Sequence, residues 1–290
     1  MANTLRMTAL LAALTGILLV AGELIGGPSG LTLALILALG MNAVSYWYSD
    51  KIALSMAGAR EVSSDEAPQI HEVVADVAAR AGLPKPRVYI VQNASPNAFA
   101  TGRDPKHAAV AVTSGILSLL NRDELEGVLA HEMAHIRNRD TLIATVAATI
   151  AGAITYLAQI GQWAFLFGGY GGGRRDSRDN GMDGLGALLM IFLAPLAAMV
   201  IQLAISRARE YNADSTGARI TGNPLALADA LERIERGVAN RPMNNLPAAA
   251  APLFIMNPFN AGMMQKLFSD HPPTAERVAR LRKLAYEQIR

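Results

Sequence analysis

The chain has 290 residues, of which 51% are hydrophobic and only 17% charged, against about 25% charged residues in a typical soluble domain. Its 26 basic and 24 acidic residues leave a formal net charge of +2, which is too balanced for a protein that binds nucleic acid along a basic surface. Cysteine is absent, which excludes disulfides, thiolate metal ligands and a cysteine nucleophile.

Two apolar blocks open the chain, at about 5–20 and 31–48, joined by a turn rich in Gly and Pro at 26–30. The first block lacks a convincing signal-peptide cleavage site and the second follows almost at once, so both are interpreted as membrane helices. The second ends in a Tyr-Trp-Tyr triplet at 46–48, and such rings favour the membrane–water interface. Residues 1–50 are therefore predicted to form two transmembrane helices.

The segment 51–141 has the composition of a soluble domain, because polar and charged residues return. Ser63 and Glu66 have the spacing of a capping box, which predicts a helix start nearby. The predicted elements are a helix at 67–81, strands at 87–92 and 108–113, and a helix that begins after Asn121.

Two further apolar blocks, at about 142–167 and 185–205, enclose a loop at 168–184 that is rich in Gly, Arg and Asp. At about 1.5 Å per residue, the longer block can cross a hydrocarbon core of about 30 Å. The segment 142–205 is thus predicted to be a transmembrane hairpin with an outer loop, and 206–290 to be a second soluble segment.

The distribution of basic residues in short loops predicts the orientation. The turn at 26–30 has none, whereas the segments after the second and fourth apolar blocks have many, which places both termini and 51–141 in the cytoplasm. Arg174, Arg175 and Arg178 in the predicted outer loop oppose this assignment.

An HExxH motif, His131-Glu132-Met133-Ala134-His135, lies within the helix predicted after Asn121. Residues four apart share one face of a helix, so both imidazoles can reach one zinc ion. Glu132 projects beside them and can take a proton from a metal-bound water. The alternative interpretation is a pair of surface histidines beside a glutamate.

A third ligand is expected, since catalytic zinc sites usually have three protein ligands. His71 and His107 are interpreted as surface histidines. Glu210 and Asp214, in the stretch SRAREYNAD, are again four apart; Glu210 could bind zinc while Asp214 accepts the other ring N–H of a ligand histidine. The alternative is a solvated charged stretch. Two predicted membrane crossings between His135 and Glu210 would return the chain to the same side, which favours a shared site.

These motifs together resemble the HtpX family of bacterial membrane zinc peptidases, which are related to the eukaryotic CAAX-prenyl endopeptidase. The resemblance runs nearly end to end. Its motifs are PNAFATG at 96–102, HEMAH at 131–135, SRAREYNAD at 206–214 and HPPTAER at 271–277.

The resemblance implies a gluzincin-type peptidase with one Zn²⁺ on His131, His135 and Glu210. It implies that Glu132 is the catalytic base and that Asp214 orients a ligand histidine. The implied fold is a mainly α integral membrane protein, with four transmembrane helices and a zincin-type α+β catalytic domain that has a small β-sheet.

The resemblance also implies residues that contact the substrate. His271 and Arg277 are expected to stabilise the oxyanion or bind the substrate backbone. Asn97, Ala98 and Phe99 are expected to belong to an edge strand that pairs with an extended substrate.

The function expected from the sequence is zinc-dependent hydrolysis of membrane or misfolded proteins at the cytoplasmic face of the inner (plasma) membrane, in protein quality control. The expected partners are protein substrates and the lipid bilayer, without nucleic acid. One alternative is a site-2-type intramembrane protease with Asp183 as third ligand, which the polar residues ahead of His131 disfavour. Another is a non-catalytic membrane chaperone or adaptor, which leaves the HExxH motif unexplained.

Overall fold

The structure is a computed structural model and describes residues 2–152, 154, 206–243, 245–259 and 272–288. The loop at 168–184, the apolar block at 185–205, Asp183 and His271 lie outside these residues.

The N-terminal apolar blocks form a helical hairpin, α1 (Ala2–Trp47). The chain turns at Gly27, whose φ of 55° and ψ of −141° suit glycine. The two arms pack together, and the Asn42 amide donates to the Thr15 hydroxyl at 2.9 Å. The second arm, Gly27–Trp47, is long and apolar enough to cross a membrane.

Two other apolar helices of the described chain, Met7–Val20 and Asp140–Gly152, are shorter than a full span. Much of the outer surface of the second α1 arm is apolar, with Leu33 and Ile36 each more than 60% exposed, as expected of a helix in contact with lipid. The prediction of four transmembrane helices extends beyond the described residues and stays a prediction.

Four short strands form a mixed sheet: β1 (Ala59–Glu61), β2 (Arg87–Val91), β3 (Ala98–Thr101) and β4 (Ala109–Thr113). Their order in the sheet is β1–β2–β4–β3. The β2–β4 pair is parallel, while β1 and β3 pair antiparallel with β2 and β4 respectively. The strands predicted at 87–92 and 108–113 are β2 and β4, and β3 is an edge strand within the PNAFATG motif.

Helices pack around the sheet and around each other to form the main hydrophobic core. Val74, Val77, Leu129, Met133 and Leu231, from three helices, are all fully buried in it. The helices described after α1 are α2 (Ser49–Met56), α3 (Pro68–Ala81), α4 (Ser114–Leu119), α5 (Arg122–Asn138), α6 (Asp140–Gly152), α7 (Arg207–Thr221), α8 (Pro224–Asn240) and α9 (Thr274–Gln288), with 3₁₀ turns at Pro105–His107 and Ala248–Leu253.

Capping interactions form near the start of both predicted helices, but they set the start of α5 only. Ser63 and Glu66 exchange the hydrogen bonds of a capping box, at 2.9 and 3.3 Å, but these close a turn before α3, which begins at Pro68. Asn121 and Glu124 form a complete capping box at the start of α5. This cap fixes where α5 begins and therefore which of its faces carries the HExxH side chains.

Candidate metal centre

The HExxH residues of α5 lie inside the protein rather than on a solvated helix surface. His131 is 1% exposed and Glu132 is 3% exposed. The Nε2 atoms of His131 and His135 are 3.1 Å apart, because residues one helical turn apart project side by side. The two rings therefore point at one common position.

Helix α7 adds a carboxylate to this position. Glu210 Oε1 lies 3.5 Å from His135 Nε2, and Glu210 Oε2 lies 3.7 Å from His131 Nε2. Gly217 lets α7 approach α5 closely, since a Cβ there would stand 2.8 Å from the His131 backbone nitrogen. The described residues thus contain a group of His131, His135 and Glu210 whose ligand atoms all lie within 4.8 Å of one another.

The spacing of these donors fits a small tetrahedral cation. Ligand atoms at about 2.0–2.1 Å from a tetrahedral zinc ion are about 3.4 Å from each other, close to the 3.1 Å between the two Nε2 atoms. Glu210 turns one oxygen toward each ring, Oε1 at 3.5 Å from His135 and Oε2 at 3.7 Å from His131. Two imidazoles and one carboxylate leave a fourth position for water or substrate, as catalytic zinc sites require.

A buried ion pair holds the ring of His131 from behind. Its Nδ1 lies 2.9 Å from Asp214 Oδ1, and Arg277 donates to both Asp214 oxygens at 2.7 and 2.8 Å. Burial raises the pKa of Asp214, but the charge and hydrogen bonds of Arg277 outweigh burial and lower it to about 2. The ionised carboxylate accepts the Nδ1–H of His131, so that Nε2 presents its lone pair to the metal position.

The ring of His135 has a corresponding partner in Asp140, which the sequence analysis did not single out. Its Nδ1 lies 3.2 Å from Asp140 Oδ2, and Arg209 lies 3.7 Å from the other Asp140 oxygen. Arg139 ends α5 in a left-handed conformation, φ 58° and ψ 29°, at the turn into Asp140. Burial lowers the pKa of His135, but the carboxylates of Glu210 and Asp140 outweigh burial and raise it to about 9. The surroundings of this ring therefore favour positive charge.

Glu132 lies between the metal position and the edge strand β3. Burial raises its pKa above the usual range against the opposing charges of His131 and His135, and the Ala100 N–H donates to its carboxylate. These groups line a cavity of about 50 Å³. The cavity walls also include Thr141, Ala144, Glu210, Pro252, Leu253, Phe254 and Ile255.

The residues expected to pair with substrate lie beside this cavity and not in its wall. The Asn97 amide donates to a carbonyl of the segment 254–256 at 2.8 Å, and the Ala98 carbonyl accepts from an N–H of that segment at 2.9 Å. The Phe99 ring packs on a phenylalanine of the same segment, with centroids 4.9 Å apart. Of β3, Ala100 is the residue that lines the cavity.

Arg277 was expected to contact the substrate, but the structure places it away from the cavity. It is 1% exposed, lies behind the His131 ring and does not line the cavity. His71, expected on the surface, is half-buried with its Nε2 atom 2.9 Å from the Val62 carbonyl, whereas His107 is exposed beside Asp104.

Two histidines one helical turn apart, a glutamate beside them on a second helix and a buried glutamate at the cavity are the arrangement found in the metallopeptidases called zincins. The model of peptidase family M48 matches residues 64–285, and the chain belongs to this family.

Curated relatives named "Protease HtpX homolog" match the chain over nearly its whole length. The relative from Thermococcus sibiricus is 54% identical over 97% of this chain and 96% of its own. The relative from Pyrococcus furiosus is 55% identical over 96% of this chain and 94% of its own, and that from Aquifex aeolicus is 54% identical over 93% and 89%. The expectation of an HtpX-like membrane metalloprotease is thereby confirmed.

A solved structure shows the same fold at low sequence identity. The crystal structure of S. mikatae Ste24p matches with a TM-score of 0.50 at 17% identity, over 97% of this chain. The chain spans 65% of the length of that protein. The predominance of helices with a small mixed sheet agrees with the fold class expected from the sequence.

Proposed function

We propose that the protein is a zinc-dependent endopeptidase that cleaves membrane or misfolded proteins at the cytoplasmic face of the inner (plasma) membrane, in protein quality control. The observation that carries the proposal is the convergence of His131, His135 and Glu210 on one position, where one ligand atom from each residue lies within 4.8 Å of the other two.

The chemistry divides between the metal and the surrounding side chains. A zinc ion held by His131, His135 and Glu210 would lower the pKa of a bound water to about 7 and would polarise the scissile carbonyl. Glu132 accepts a proton from the attacking water and delivers it to the leaving amine. The Ala100 N–H, by donating to the Glu132 carboxylate, holds that carboxylate toward the cavity.

Asp214 orients the ring of His131, and Asp140 orients the ring of His135. Each accepts the ring N–H that faces away from the metal, which selects the tautomer whose Nε2 can coordinate. Arg277 touches neither metal nor substrate in this scheme. It keeps Asp214 ionised and fixed, and we assign it a positioning role in place of the expected substrate contact.

The position of the cavity supports substrates that come from the membrane. Thr141 and Ala144, in the first turns of the apolar helix α6, line the same cavity as Glu132. Strand β3 is an edge strand that lines the cavity at Ala100, and an edge strand is where an extended chain can bind by strand addition. The basic segments flanking the apolar blocks support a cytoplasmic location of this cavity.

Replacement of Glu132 by glutamine tests the mechanism. Purified Glu132→Gln should bind about one zinc ion per chain and lose hydrolysis of an unfolded model substrate by about 10²–10⁴-fold, the usual contribution of a general base. Glu126→Gln is the matched control, because Glu126 lies on the same helix outside the cavity. Full activity of Glu132→Gln, or of wild-type protein stripped of metal by a chelator, contradicts the proposal.

A further inference from the structure

A second, larger cavity lies on the other side of the turn that joins α5 to α6. It has a volume of about 720 Å³ and opens between the N-terminal hairpin and the soluble domain. This volume is typical of small-molecule sites. We call it the interfacial pocket, and the lining residues used below are Met7, Tyr46, Arg103, Lys106, Arg139 and Leu142.

The polar wall of the interfacial pocket is cationic. Arg103, Lys106 and Arg139 line it together with Asp104. The Asp104 carboxylate is already engaged by two backbone N–H groups, by the His107 ring at 2.8 Å and by Arg103 at 3.7 Å. Lys106 and Arg139 form no ion pair with any described residue. The pocket thus offers positive charge that the described part of the protein leaves uncompensated.

The apolar wall places the pocket at the level of lipid headgroups. Met7 lies near the start of α1 and Tyr46 near its end, so both belong to the open end of the hairpin. Leu142 lies in the first turn of α6. Tyr46 precedes Trp47 and Tyr48, which are 57% and 53% exposed, as aromatic side chains are at a membrane–water interface. A ligand in this pocket would therefore place its charged group near the cations and its apolar part beside the hairpin.

The pocket is built on tightly fixed backbone. A Cβ on Gly102, whose φ is 131°, would stand 2.4 Å from the His107 carbonyl oxygen, so the loop that carries Arg103 and Lys106 closes on itself here. The Thr141 hydroxyl donates to the Gly102 carbonyl at 3.0 Å, which ties this loop to α6. Arg139 holds a left-handed conformation that glycine would adopt without strain.

We propose that the interfacial pocket binds the headgroup of an anionic phospholipid, with the phosphate on Arg103, Lys106 and Arg139 and the acyl chains along α1 and α6. Charge complementarity and the apolar wall both favour a lipid over a soluble anion. The lipid would contact the turn whose next residue, Asp140, holds the His135 ring at 3.2 Å. The inference rests on the membrane character of the protein and not on its peptidase activity.

Lipid binding to the full-length protein in neutral detergent tests this inference. The protein is titrated with short-chain phosphatidylglycerol, with phosphatidylcholine and with inorganic phosphate, and bound lipid is counted by native mass spectrometry. The pocket variant is Arg103→Ala/Lys106→Ala/Arg139→Gly, in which glycine suits the backbone at 139. The control variant, Arg219→Ala/Arg236→Ala/Lys283→Ala, removes three exposed cations from α7, α8 and α9.

The wild-type and control proteins should prefer phosphatidylglycerol over phosphatidylcholine. The pocket variant should bind phosphatidylglycerol about five-fold more weakly for each cation removed, or on the order of 100-fold in total. Equal weakening in the control variant, unchanged affinity in the pocket variant, or complete displacement by equimolar inorganic phosphate would each overturn the inference. Zinc content is measured on the same samples, so that a failed peptidase assignment is recognised separately from a failed lipid site.

Discussion

The ion pair behind His131 allows a test that separates protein stability from metal binding. Arg277 is 1% exposed, and its guanidinium donates to both oxygens of Asp214. Replacing Arg277 by methionine keeps most of the side-chain volume but leaves the Asp214 carboxylate buried without its counter-ion. Breaking one side of a buried ion pair in this way costs about 3–5 kcal/mol of unfolding free energy.

The double variant Asp214→Asn/Arg277→Met removes both charges. Its unfolding free energy should recover most of the loss, because replacing a buried pair as a whole is often nearly neutral. The asparagine carbonyl can still accept the His131 Nδ1–H, but without the carboxylate charge the ring is a weaker ligand. Zinc affinity should therefore stay about 10–100-fold below that of the wild type in the double variant.

Both quantities are measured on the same purified proteins. Equilibrium unfolding in detergent is followed on metal-free samples, so that bound metal does not add to the stability. Zinc affinity is measured by competition with a chromophoric chelator. If Arg277→Met unfolds with the wild-type free energy, or if the double variant regains full zinc affinity, the positioning role of the pair is refuted.

Three further predictions follow from single contacts. Gly217→Ala should push α7 away from α5 and weaken zinc binding at least about 10-fold. The control is Gly40→Ala, whose added Cβ meets no atom within 4 Å and should leave zinc binding unchanged. Equal zinc affinities of the two variants would contradict this prediction. Asp140→Ala should lower zinc affinity about 10–100-fold by freeing the His135 ring, and an unchanged affinity would remove Asp140 from the site. Burial, and then the hydrogen bond from its hydroxyl to a carboxylate, raise the pKa of Tyr89 from 10 to about 12. The neutral phenol therefore stabilises the fold fully below about pH 10, and this contribution is lost as the pH rises toward 12. The stability advantage of wild type over Tyr89→Phe should shrink over that range in urea unfolding, and a constant advantage would contradict the assignment.

Local spacing was enough to predict the two-histidine face of the site. Residues at i and i+4 meet on any α-helix, so HExxH in a capped helix brings His131 and His135 together whatever the rest of the fold does. The same rule places Glu210 and Asp214 on one face of α7. The start of α5 after Asn121 and the β-branched strands β2 and β4 could be predicted in the same way, since each depends on neighbours within a few residues.

Local spacing could not predict contacts that depend on packing between distant segments of the chain. Asp140 reaches His135 across the left-handed residue Arg139 that ends α5, and the residue types around Arg139 do not predict this conformation. Asn97 donates to a carbonyl of the segment 254–256, about 160 positions later in the chain. The same holds for Arg277. Its sequence motif suggested contact with the substrate, but in the structure it is buried and donates to Asp214.

The sequence by itself determined which side chains can bind a metal and that the chain enters a membrane, because both follow from residue type and short-range periodicity. The tertiary structure alone decided which acidic and basic groups stand behind the ligand rings and that three cations meet the apolar hairpin at one pocket. These arrangements arise from the close approach of α7 to α5 and from the loop that begins at Gly102, and such approaches depend on the packing of the whole chain.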